Sequence, residues 1–158
     1  MLSSRTVAAL GGLAALIRAA APTLTVYYGP TVVWPTDPDF VVVGIDDLMA
    51  TGPSTAVDVA SQDWAELGAY GKDEFFTLHG ACVAWSGDDR DADACLQRAA
   101  ANVALVETAL RTGDGITLNG ALSGPGWCSV TVTRIAWGQT QTGINVHLYF
   151  DVNCRARI

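Results

Sequence analysis

The sequence is poor in basic residues and in charge generally. Nine Lys and Arg stand against sixteen Asp and Glu, which gives a net charge of −7, and charged residues make up 16% of the 158. Such a chain is not expected to hold nucleic-acid phosphates over its general surface, although DNA could slide past it without binding. Half of the residues are hydrophobic, which excludes a disordered chain and indicates one globular domain over residues 1–158.

Motifs for metals and cofactors are also missing. The four cysteines are widely spaced and form no C-x-x-C: Cys82, Cys95, Cys128 and Cys154. No glycine-rich phosphate loop occurs, and the acidic run that starts at Asp89 has Ala94 and Ala100 where a calcium loop needs Gly and Glu. The sequence therefore predicts no metal and no cofactor. It favours four buried thiols, with disulfides only if the chain is exported.

Catalytic constellations are equally scarce. His79 and His147 are the only histidines, and neither has a nucleophile at a recognisable spacing. The segment around Ser123 misses the nucleophile elbow because Ala121 takes the place of its first glycine. Asp46 and Asp47 are adjacent at a strand end, where side chains point to opposite faces. We therefore predict that the protein is not an enzyme.

The N-terminal segment allows two interpretations. It is rich in Ala and Leu and could imitate a secretory signal, but Arg18 interrupts it and it is too short to span a membrane. Val7, Leu10, Leu13 and Ile17 recur at helical spacing, which favours an amphipathic first helix. We therefore expect an intracellular protein, or part of a particle that is built inside a cell.

Hydrophobic periodicity predicts an α+β domain with a mainly antiparallel sheet and two main helices packed on one face. The predicted helices cover residues 4–21 and 89–112. The predicted strands cover residues 24–28, 40–45, 56–64, 73–86, 127–137 and 144–158.

The final strand is the most informative element. Its alternation runs for fifteen residues, or about 50 Å at roughly 3.3 Å per residue, which is long for a small domain. One face is apolar and is expected to lie on the second helix, whereas the other carries polar and charged side chains suited to water or a partner. The residues predicted to contact another subunit or a partner are His147, Tyr149, Asp151, Arg155 and Arg157, together with Trp34 and Asp47.

Several short motifs follow one another in a distinctive order. They are Val26-Tyr27-Tyr28-Gly29-Pro30, Val41-Val42-Val43-Gly44, Trp64 to Gly68, Asp73-Glu74-Phe75, Ala84 to Asp88, Val106 to Arg111, and Cys154 to Ile158. In this order and spacing the chain resembles the tail terminator proteins of long-tailed, siphovirus-type phages of actinobacteria. The loops 46–54 and 112–118 depart from that pattern.

The resemblance implies a structural virion protein without catalytic residues. Such a protein forms a homo-oligomer, expected to be a hexameric ring, that caps the tail tube protein, stops its polymerisation and joins the tail to a head-completion or connector protein. It is expected at the head–tail junction of the virion, after assembly in the host cytoplasm, with no membrane partner. DNA would pass through the lumen without specific binding, and the net charge of −7 suggests an acidic lumen.

Two other functions remain open from the sequence. A head-to-tail connector, or neck protein, would also assemble with other virion proteins, but it would bind the head side first. An exported, non-catalytic binding module would have a cleaved N-terminus and disulfides.

Overall fold

Two long antiparallel strands form the centre of the fold. The computed structural model describes residues 4–30, 35–66, 71–122, 125–141 and 143–158. Strands β4 (Lys72–Ser86) and β6 (Gly143–Arg157) each have 15 residues. They pair from Asp73 opposite Arg157 to Ser86 opposite Ile144. The predicted terminal strand is therefore present, and it lies beside the other long strand of the chain.

Four shorter or outer strands complete a six-stranded sheet. They are β1 (Thr25–Tyr28), β2 (Asp39–Val43), β3 (Val57–Trp64) and β5 (Trp127–Thr140). The strand order is β1-β2-β4-β6-β5. Strands β3 and β2 share one edge of β4: β3 pairs with the first half of β4, and β2 pairs with the second half of β4. Only β1 and β2 are parallel among these pairs. The predicted α+β class with a mainly antiparallel sheet is confirmed.

Both main helices, α1 (Thr6–Ala20) and α2 (Ala92–Arg111), pack on one face of this sheet. Leu13 and Ile17 of α1 and Ala99 and Val106 of α2 are fully buried there. They meet the apolar side of the two central strands: Leu78, Cys82, Val146, Leu148, Phe150 and Val152. Short 3-10 turns, Asp89–Asp91 and Gly113–Thr117, flank α2. None of the described helices is long and apolar enough to cross a membrane.

A close contact at the centre of the sheet depends on a glycine. Gly80 lies directly opposite Phe150, and a Cβ at position 80 would be 2.5 Å from Phe150 Cζ. The absence of a side chain therefore lets the Phe150 ring lie over the strand.

The helical spacing of apolar residues on α1 was wrong in one place. Val7 is exposed, although its spacing matched the buried stripe.

The start of α1 is tied to the sheet by a buried carboxylate. Glu74 is fully buried, and it accepts hydrogen bonds from the Arg5 backbone N–H at 2.8 Å and from Gln62 Nε2 at 2.6 Å. The backbone N–H groups at a helix N-terminus otherwise lack partners, so a carboxylate there both accepts their hydrogen bonds and complements the helix dipole. Glu74 thus joins α1, β3 and β4.

We predict that Glu74→Ala destabilises the fold by about 2 kcal/mol, because it removes two hydrogen bonds of a buried carboxylate and leaves the Arg5 N–H without that acceptor. Chemical denaturation of the wild type and variant measures the difference in the free energy of unfolding. The exposed Glu66 offers a matched control, since Glu66→Ala should be nearly neutral. Equal effects of the two substitutions would contradict this role of Glu74.

All four cysteines are free and buried, which agrees with their interpretation as small apolar side chains. Cys128 lies directly opposite Cys154 in the β5–β6 ladder. Burial raises the pKa of Cys128 to about 11 and raises the pKa of Cys82 and Cys154 further. Because the thiolate is the reactive form, these thiols are expected to react slowly in the native state.

A thiol-reactive chromophore tests this expectation. It should label the native protein at only a small fraction of the rate seen in denaturant, where all four thiols should react. Intact mass under non-reducing conditions should also show four free thiols. Rapid native labelling, or a mass lower by two hydrogens per cysteine pair, would contradict the assignment.

Candidate subunit-contact surface

The predicted contact residues of β6 lie on the sheet face opposite the helices, which we call the polar face. It comprises the β6 side chains at alternate positions from Asn145 to Arg157 and their cross-strand neighbours on β3, β4 and β5. Side chains on this face form three groups along the length of β6. The structure therefore separates the predicted contact residues into three different environments.

The first group surrounds Tyr149. The Arg134 guanidinium lies 4.0 Å from the centre of the Tyr149 ring, and the Tyr149 hydroxyl donates to Asp47 Oδ1 at 3.2 Å. The Leu48 backbone N–H in turn donates to that hydroxyl at 3.2 Å. A hydrogen bond from the Met49 N–H, assisted by Arg134 and Tyr149, lowers the pKa of Asp47. This group fastens the loop after β2 to the sheet.

The position of that loop shows that one expectation about β6 was wrong. The whole polar side of β6 was expected to face water or a partner, but His147 is 1% exposed and Tyr149 is 3% exposed. The loop carrying Asp47 and Leu48 covers Tyr149 together with Arg134, and His147 lies against Tyr149. A second apolar cluster lies on this face as well: Phe40, Val42, Ile45 and Val83. Only the second half of β6 presents an open polar face, and the contact role of His147 and Tyr149 stays a prediction.

The second group places His79 between two carboxylates. His79 Nδ1 is 2.8 Å from Asp151 Oδ1, and His79 Nε2 is 3.1 Å from Asp58 Oδ2. Only the imidazolium form can donate from both nitrogens at once. Partial burial by itself would lower the pKa of His79, but the hydrogen bonds and charges of Asp151 and Asp58 outweigh it and raise the pKa. The group links β3, β4 and β6 by charge.

The third group lies at the C-terminal end of β6. Asp73 accepts hydrogen bonds from Arg157 Nε at 2.8 Å and from Arg155 Nη2 at 2.6 Å. These two contacts lower the pKa of Asp73 and raise that of Arg157. The Arg155 guanidinium also lies 5.7 Å from the Phe75 ring centre. Two arginines are thus held against one carboxylate at this end, beside the part-exposed rings of Phe75 and Trp127.

Sequence reasoning missed several members of these groups. Asp73 and Phe75 share the face of Arg155 and Arg157 because they alternate along β4, which only the register of the two strands reveals. Trp34 was also predicted to make contacts, but it lies outside the described residues. A stripe of exposed apolar side chains on β5 was not anticipated either: Val132, Ile135 and Trp137.

The His79 group predicts a pH dependence of stability. Because the pKa of His79 is raised above its ordinary value of 6.5, the ion pairs stabilise the fold fully below that value. Their contribution, roughly 1 kcal/mol or less, is lost as the pH rises through the raised pKa. His79→Gln should therefore destabilise the protein at acidic pH, and the difference from wild type should shrink in alkali.

Histidine NMR titration supplies the internal control. Burial lowers the pKa of His147, so its imidazole should titrate below 6.5 while that of His79 titrates above it. The reverse order would contradict the assignment.

Comparison with known proteins finds structural similarity. No family model matches the chain, and no curated protein matches it. Among solved structures, the chain is similar to one described as "Virion of native gene transfer agent (GTA) particle". The identity is 14%, the match covers 94% of this chain and 93% of that one, and the TM-score is 0.35. A TM-score of this size does not establish a common fold.

Proposed function

We propose that the protein is a structural subunit of a phage particle, and specifically a tail terminator. In this role it forms a ring on the last ring of the tail tube, stops polymerisation of the tube, and joins the tail to the head-completion proteins. The observation that carries the proposal is the ordered set of motifs along the chain, found on the α+β fold that the resemblance implies.

The long central strands suit a ring subunit mechanically. Strands β4 and β6 pair over fourteen positions, from Asp73 with Arg157 to Ser86 with Ile144, and two helices cover one side. Such a unit resists bending, because the backbone ladder and the packed helix layer act together. A subunit that must hold the same shape in every ring position and transmit contact from tube to head benefits from this stiffness.

The open half of the polar face suits recognition of another protein. It combines charged groups held in fixed positions with exposed aromatic rings, Phe75 and Trp127, beside Arg155. Aromatic residues and arginine are enriched where proteins bind one another, whereas lysine is depleted there. The C-terminal end of β6, with Arg155 and Arg157, is what we call the arginine end. It is therefore our candidate contact with the tube or with a neighbouring subunit.

The net charge suits passage of DNA. At −7 per subunit, a ring of several copies repels DNA phosphates rather than holding them. We propose that acidic groups of the subunit line the lumen.

A tube-capping assay tests the function. Purified protein is added to polymerising tail tube protein, and tube lengths and ends are examined by negative-stain electron microscopy. The proposal expects a ring at one end of each tube and shorter tubes as more protein is added. Absence of binding to tubes would contradict it, and binding to purified heads before tails would favour the neck protein instead.

Substitutions at the arginine end test whether these residues form the contact used in capping. Arg155→Ala combined with Arg157→Ala should weaken capping at least about tenfold, because it removes charged groups beside aromatic rings at a contact. Arg111→Ala is the matched control, since Arg111 pairs only with Glu107 on the exposed side of α2 in the described contacts. Circular dichroism must show that both variants fold. Equal capping by both would exclude this end as the contact.

A further inference from the structure

Three strands of the sheet each have one edge that carries no other strand among the described residues: β1, β3 and β5. Strand β1 has only four residues, whereas the two longer ones, β5 and β3, pair only with β6 and β4 respectively. A free edge presents a row of backbone N–H and C=O groups, which is a template for pairing with another chain. These two edges lie on opposite sides of the β4–β6 pair.

Both edges also expose apolar side chains on the same face of the sheet. On β5 these are Val132, Ile135 and Trp137, which lie opposite the helix-facing residues Phe150, Leu148 and Val146. On β3 they are Val59 and Trp64, which lie opposite Phe76 and Lys72. Their exposure runs from 44% to 64%, so the helix layer stops short of both edges.

The strand directions of the two edges are complementary. Strand β5 is antiparallel to β6, and β6 is antiparallel to β4, so β5 runs in the direction of β4. Strand β3 runs the opposite way. A second copy placed side by side in the same orientation would therefore bring its β3 antiparallel to β5 of the first, with both helix faces on the same side.

Charge favours this pairing over contact between two identical edges. Strand β3 contains two carboxylates, Asp58 and Asp63, and no cation, whereas β5 contains one cation, Arg134, and no carboxylate. A β5–β5 contact would set two arginines near each other, and a β3–β3 contact would set four carboxylates together. The β3–β5 contact is the one that joins opposite charges, and it would add to the contacts that Arg134 makes with Asp47 and Asp58 makes with His79 inside the subunit.

From these observations we infer that β5 of one copy pairs with β3 of the next, so that the sheet continues from subunit to subunit. The inference rests on the proposed function for the ring itself and specifies which surfaces build it. Such a contact uses two different patches and is head-to-tail, the kind that generates rings when the rotation closes. The exposed apolar side chains of both edges would be covered in the assembled state.

Cross-linking between defined edges tests the inference directly. Single variants Val59→Cys and Trp64→Cys label β3, and Val132→Cys and Trp137→Cys label β5. The native thiols are buried, so a short bis-maleimide should react first at the new positions. We expect dimers chiefly in mixtures of a β3 variant with a β5 variant. Cross-links chiefly within β5 variants alone would overturn the inference in favour of a two-fold dimer.

Charged substitutions on the β5 edge provide a second test, in which self-association is measured. Ile135→Glu combined with Trp137→Glu should weaken self-association at least about tenfold, since it adds carboxylates to an edge that would face the acidic β3 and removes an aromatic contact. The matched control is Val7→Glu combined with Leu105→Glu, on exposed helix positions away from both edges. Analytical ultracentrifugation measures both, after circular dichroism has confirmed folding.

The outcomes separate the two proposals. If the protein forms rings but the edge variants assemble normally, the pairing of edges is wrong and the ring function stands. If the wild type stays monomeric in solution and on tail tubes, the tail-terminator function is itself wrong, and the edge pairing falls with it.

Discussion

The register between β4 and β6 is the constraint on which the rest of the structure depends. Side chains alternate with a period of two, so a slip of one residue would bring the apolar side of β6 to the polar face and its charges onto the helices. The register also determines which residues of β4 and β6 meet in each group on the polar face. Asp151 meets His79, and Arg155 lies two positions from Asp73, only because these residues share one alignment.

The same register divides the polar face into a closed half and an open half. Beside the first half of β6, strand β2 and its following loop contribute apolar residues and cover Tyr149. Beside the second half, β3 contributes Asp58 and Asp63, and the face stays charged. The ion pairs on this half are partly buried, since Asp73 is 8% exposed and the His79 side chain 12%, and they hold β3, β4 and β6 together.

Periodicity predicted the elements that depend on local pattern. The helix α2 and the strands β4 and β6 lie close to their expected bounds, because each has a long, regular alternation of apolar and polar residues. What could not be predicted depends on distant segments. Burial of Tyr149 requires a loop about a hundred residues earlier in the chain, and the pairing of Asp73 with both terminal arginines requires the β4–β6 alignment. Local pattern also placed Val7 in the core, but its side chain is 70% exposed.

The edge strands β3 and β5 are both irregular. Strand β3 has a register shift between Val59 and Ser61, and β5 has one between Val132 and Arg134. Such bulges twist an edge and interrupt its ladder, which protects natural proteins from indiscriminate strand pairing. An edge interrupted in this way accepts only a partner whose own strand follows the same path. A sheet extended through two irregular edges would also turn at each junction, and head-to-tail contacts of this kind form a ring when that rotation closes and an open helix when it does not.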